Sequence, residues 1–390
     1  MKNVFTFALV IVIGLSLCFM SCSEAKEWEI SDLTSDLEFD VKFILNHDIV
    51  LDYSRIFNPD GSFTDFFLAP PAGGGQTLPA GDFSGTVLCE TFLRDTLGFT
   101  NQAIRFRRID MIYLDTPCQS LDHHGWINRF RQRNWENGWQ LMNRQRVPLP
   151  WPLTEQGIDA AVRRALADGF EPSNRNDREQ NVRSGQWHFE VDWSYASAVL
   201  SVTRSIAGNA WDASRNSYSS NIPFEDPFTN VTGRGSFPSI ERIRELFKEH
   251  LPPNLKNRFY FNGQFDQAVA FGSVFYRRYE VRIDGIIDCP LWIGNNNFRI
   301  DVLALPHALI LNEEGNRVPD WSVVEWVIEA SHANMGAADG TTGRPLGNLG
   351  LDRARIVRNS LYDFLGGTES GVILPIAGLR AGRVYERWRQ

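Results

Sequence analysis

The sequence predicts an α+β fold built on a mainly antiparallel β-barrel, tunnel-like with a polar lumen, with peripheral helices and long loop insertions. One observation is alternation: Glu38, Asp40 and Lys42 oppose Phe39, Val41 and Phe43, while Glu190 and Asp192 oppose Phe189, Val191 and Trp193. Successive side chains on a strand point to opposite faces, so each segment has one charged and one apolar face. A second is repetition, because Arg129, Arg131 and Arg133 alternate with Phe130, and Glu280, Arg282 and Asp284 with Val281 and Ile283. A half-solvated sheet also alternates. Mixed carboxylates and arginines opposite Trp and Phe fit better a closed barrel whose outside is covered by helices. The third is order: such segments come in runs, with few helices between them and no internal repeat.

The elements follow in turn. A strand spans 38–45, and residues 53–100 form an insertion containing the Asn58-Pro-Asp-Gly61 turn and the loop Ala69–Gly75. Residues 103–114 and 125–146 read as consecutive strands, ended by Pro148, Pro150 and Pro152. Thr154 caps a helix to Gly169 whose apolar face carries Ile158, Val162 and Leu166. A polar loop at 173–184 separates it from strands at 187–193 and 199–205. Residues 206–236 are a second insertion, and 239–250 a short amphipathic helix. Strands return at 274–287 and 298–305. Residues 321–332 fit strand or helix, and about 320–390 is expected to be a C-terminal helical part, with Ile356, Leu361 and Phe364 anchoring a helix over 351–365.

Composition bounds the function. Of 390 residues, 43% are apolar and 22% charged, which is enough apolar material for a core. A net charge of −8 gives no electrostatic footprint for nucleic acid, so any anion site must be a local basic pocket. Lys2, the uncharged apolar run Val4–Met20 and Ser23-Glu24-Ala25 read as a signal peptide over 1–25, with lipid attachment at Cys22 as the competing outcome. The chain is therefore expected to be exported: secreted, periplasmic or lipid-anchored, touching a membrane only through that anchor or an uncleaved signal. Cys89, Cys118 and Cys289 allow at most one bridge.

The sharpest motifs are Tyr113-Leu-Asp-Thr-Pro117 and Gly125-Trp-Ile-Asn-Arg-Phe-Arg131. The second aims Arg129 and Arg131 into one space, where two guanidinium groups can hold a polyanion. With Glu38-Phe-Asp-Val-Lys42 upstream, the chain resembles the CYTH, or triphosphate tunnel, superfamily. The resemblance implies a single domain over 26–390 and an anionic partner, either a small molecule or polyphosphate. It implies Glu38 and Asp40 as catalytic carboxylates and Glu38, Asp40 and Glu280 as ligands of Mg²⁺ or Mn²⁺, if the chain is catalytic. Lys42, Arg129, Arg131, Arg144 and Arg204 would then grip phosphate, and Glu329 would be a late acidic member. Oxygen ligands suit those metals, and arginine suits phosphate. Hydrolysis of a triphosphate or polyphosphate is one outcome. Another is a non-catalytic secreted or lipid-anchored binding module on the same fold, and a third a structural surface protein with an accidental match.

Overall fold

Aromatic and β-branched residues at every second position make Glu38–Leu45 a strand (β1), whose Phe39, Val41, Phe43 and Leu45 enter the main core. The structure, a computed structural model, describes residues 37–68, 76–116, 118–133, 139–170, 187–206, 245, 269–282, 297–311, 317–333 and 350–376. The expected signal peptide at 1–25 with Cys22, the loops at 69–75 and 173–184, the insertion from 207 to 236 and Cys289 lie outside the described residues, as does the helix at 239–250 apart from Glu245.

The remaining strands are Gln76–Leu78 (β2), Ile104–Asp115 (β3), Trp126–Arg133 (β4), Trp139–Pro148 (β5) and His188–Trp193 (β6). Then come Ala198–Ile206 (β7), Val269–Arg282 (β8), Asn297–Leu311 (β9) and Arg317–Ala333 (β10). They form one sheet in the order β2-β3-β4-β5-β7-β6-β1-β10-β9-β8, and β8 also pairs with β3. The succession of ladders thus returns to β3. Every ladder is antiparallel except β1–β6.

Two helices cover the apolar face. Glu155–Ala167 (α1) is capped by the Thr154 hydroxyl, which accepts from Gly157 N at 3.2 Å, and it buries Ile158, Ala161, Val162 and Ala165. Gly350–Phe364 (α2) buries Leu351, Ala354, Val357 and Leu361, while the expected anchor Ile356 is exposed. The buried residues recur every three or four positions, and Ile356 falls off that stripe. Residues 320–333 are strand, so the C-terminal helical part starts later than expected. The cause is period-two burial, with Trp326, Ile328 and Ala330 in the main core and Val327, Glu329 and Ser331 on the other face. Residues 53–100, read from sequence as an insertion, pack closely: Phe67, Phe83, Val87, Phe92, Leu93 and Phe99 all join the main core. Among the described residues no helix is long and apolar enough to cross a membrane, and Cys89 and Cys118 are free.

Candidate functional site

The turn between β3 and β4 sets where the charged face of β4 points. The Asp115 carboxylate accepts from the backbone amides of Thr116, Leu121 and Asp122 at 2.6–3.0 Å, which holds the single helical turn Ser120–His123. Burial pushes Asp115 up to about 6, against those amide bonds. Gly125 follows with φ +80°, and a Cβ there would stand 2.6 Å from the Arg146 carbonyl. Only glycine fits that close approach, which seats Trp126 in the main core and starts β4 in register. The Asp-Thr and Gly-Trp parts of the two motifs are therefore scaffold.

Register then assembles a cluster. β1 and β6 set Glu38 opposite Glu190 and Asp40 opposite Asp192. The Lys42 ammonium lies 2.8 Å from Asp40 Oδ2 and also bonds Asp192 Oδ1. Arg144 on β5 reaches Asp192 Oδ2 at 3.0 Å and bonds Glu190 Oε1 as well. Ser201 donates its hydroxyl to Asp192. His188 Nε2 is 3.0 Å from Glu38 Oε2 and 3.6 Å from Glu190 Oε2. Four carboxylates thus meet Lys42, Arg144 and His188, as buried charges require.

The titration behaviour follows. Burial opposes the charge on Asp192, yet Lys42 and Arg144 beside it hold its carboxyl well below the usual range. Burial pushes Asp40 up to about 7, opposed by Lys42 and reinforced by Asp192 and Glu190. Burial also opposes the His188 imidazolium, but the hydrogen bonds it donates to Glu190 and Glu38 carry it up to about 9.

Round the sheet from β1, the same face turns basic. Glu329, 2% exposed, stands opposite Asp301, and Ser331 opposite Arg299. Arg278 pairs with Asp301 through two contacts of 2.8 Å, and the Tyr276 hydroxyl donates to the same carboxylate. Glu280 lies 3.3 Å from Arg107 and 3.7 Å from Arg299. Burial lowers the pKa of Arg107; Glu280 opposes that, and the charges of Arg105, Arg278 and Arg299 add to it. Several guanidinium groups are thus crowded together, with Glu280, Asp301 and Asp40 among the carboxylates that act on them.

The structure gathers most of the residues singled out from sequence. Glu38, Asp40, Lys42 and Arg144 meet in one cluster, and Glu280 lies among the arginines. Arg129 is buried on the same face, its Nε 3.3 Å from Met142 Sδ. Arg131 sits opposite Met111 and Gln140 in the ladders, and its side chain lies outside the described residues. Arg204 is not brought to the others. It shares strand parity with Leu200 and Val202 of the main core and pairs with Asn143, while Thr203 pairs with Arg144. Desolvation there lowers its pKa to about 10. Glu38, Asp40 and Glu280 do not form one ligand set. Among the described residues, the group able to hold a metal ion is Glu38, His188 and Glu190, with ligand atoms within 4.8 Å of one another.

That group suits a divalent cation. Ligands about 2.1 Å from a metal stand roughly 3 Å apart when adjacent, close to the 3.0 and 3.6 Å seen here. A ring nitrogen beside two carboxylates favours Mn²⁺ over Mg²⁺. His188, Arg107, Arg278, Arg299 and Asp301 were missed as site members from sequence. Their signal was parity: His188 alternates with Phe189 as Glu190 does, and Arg299 and Asp301 alternate with Phe298, Ile300 and Val302.

No family model matches the chain, and no curated protein does. Solved structures similar to it include a protein from Hippeastrum described as a candidate adenylyl cyclase with a dominant triphosphatase activity. It is 10% identical over 90% of this chain and 96% of its own, with a TM-score of 0.33. Another, from Bacillus halodurans, is described as a candidate adenylate cyclase, 10% identical over 72% of this chain and 83% of its own, with a TM-score of 0.26. Both superpositions are loose.

Proposed function

We propose that the ring of ladders encloses the charged face as a barrel lumen, and that this lumen binds a triphosphate or polyphosphate with a divalent cation and hydrolyses it. One observation carries the proposal: a carboxylate–imidazole group on β1 and β6 shares a buried face with a crowded set of arginines on β3, β8 and β9. Arg107, Arg278 and Arg299 offer planar, charge-assisted donors to phosphate oxygens. An entering anion also relieves their mutual repulsion. Glu38, His188 and Glu190 would hold the cation, which when bound polarises a phosphoryl oxygen and acidifies water. Lys42 and Arg144 orient Asp40, Asp192 and Glu190, which fixes the carboxylates before any ligand arrives. Purified protein lacking residues 1–25 should release phosphate from tripolyphosphate with Mn²⁺ or Mg²⁺. Glu38→Ala and Arg299→Ala, if folded, should each lose about 100-fold or more in kcat. Unchanged rates in both would remove the proposal.

A second reading is a binding module without hydrolysis. Lys42 and Arg144 favour it, since their charges are already taken up by Asp40, Asp192 and Glu190. Tight tripolyphosphate binding with no phosphate release would select it. The proposal extends to location: one domain from residue 26 onward acts outside the cytosol, on exported polyphosphate or extracellular nucleotide. Mass spectrometry of the mature chain tests this, with Lys26 or a lipid-bearing Cys22 expected at its start.

A further inference from the structure

On β1, β3, β9 and β10 the charged residues do not run the length of the strand, whereas on β5 Arg146 follows Arg144 on the same face. Two residues beyond Lys42, Arg107, Asp301 and Glu329, on the same face by parity, stand Ile44, Ile109, Leu303 and Val327. These side chains pack with Met111, Tyr113 and others as a second buried cluster, separate from the main core, and each is 6% exposed or less. Tyr276 marks the border: its ring belongs to the apolar cluster, while its hydroxyl bonds Asp301.

Beyond this layer the chain closes over itself. The segment after α2 is tied to the end of β1, with Asn46 N donating to the Val372 carbonyl at 2.8 Å and Leu374 N to the Ile44 carbonyl at 2.9 Å. Leu374 and Ile376 pack on the apolar cluster. At the end of β3 the turn held by Asp115 is pinned by Arg146 to Asp122 at 2.7 Å. Apart from the Tyr113 and Tyr276 hydroxyls, the second of which is taken up by Asp301, this layer offers a phosphate oxygen no side-chain donor. Stripping water from a phosphate within it costs free energy that no pairing returns.

We propose that the charged chamber is blind: it accepts the end of a linear phosphate chain and does not let the chain pass through. The inference rests on the phosphate-binding function proposed above and narrows its substrate class to chain termini and short triphosphates. The test is binding stoichiometry, measured by calorimetry and sedimentation on the protein lacking residues 1–25. The probes are tripolyphosphate and linear polyphosphates of several defined lengths. Tripolyphosphate should bind one to one and the longer chains should load one protein per end whatever their length, and blocking both terminal phosphates as phosphoramidates should weaken binding at least about tenfold. Loading that grows with chain length, or blocked chains that bind like free ones, would overturn blind-end binding while leaving phosphate binding intact. No binding even of tripolyphosphate would remove the phosphate-binding function, and this inference with it.

Discussion

Three donors converge on the Asp192 carboxylate, those of Lys42, Arg144 and Ser201. Asp192→Asn removes the charge and keeps the shape, so Lys42 and Arg144 lose the anion they share. Breaking a buried pair this way costs about 3–5 kcal/mol, and urea unfolding should show a loss of that order. His188 gives a pH dependence of definite sign. Its pKa rises from 6.5 to about 9 in the folded state, so between those values the native protein keeps a proton that the unfolded chain releases. That stability is fully present below 6.5 and is lost as the pH rises through 9. Urea midpoints should fall across this window in the parent and fall less in His188→Gln; equal slopes would refute the assignment. Parity made Glu38, Asp40 and Lys42 legible in the sequence as one face. It could equally have exposed His188, but a lone imidazole between Trp187 and Phe189 reads as core until Glu38 is known to stand across from Glu190.

Between β3 and β4 the connection works because one position has no side chain. Gly125→Ala should cost about 1–3 kcal/mol, since a Cβ at positive φ would press on the Arg146 carbonyl; thermal unfolding measures it. On β7 the question is which face a cation occupies. Arg204→Met should leave tripolyphosphate affinity as it is, whereas Arg299→Met should weaken it about tenfold or more, and calorimetry on both variants decides. A reversed outcome would put the ligand on the covered face. Sequence patterning identified α1 nearly to the residue, because its cap and apolar stripe are local. It left 321–332 ambiguous because a strand buried on both faces loses the polar punctuation that separates strand from helix. In α2 a bulky isoleucine drew attention to position 356, while the smaller Ala354 and Val357 occupy the packed stripe.

Strand order is a property of the whole chain, and nothing local encodes it. No stretch of sequence near β1 states that its neighbours are β6 and β10, yet that placement brings Lys42 to Asp192 across a separation of 150 residues. Pairings of such range close long loops before contacts reward them, which slows folding into the range of milliseconds to seconds or beyond. Refolding followed by tryptophan fluorescence should be slow, and tripolyphosphate binding should return only with the last phase. Recovery of binding in an early phase would contradict this. Among the described residues, the one parallel ladder is β1 on β6. β1 precedes both of its neighbours in the chain, β6 by about 140 residues and β10 by about 270. A chain cut short before β10 lacks the strand that flanks β1 and carries Glu329 to the charged face.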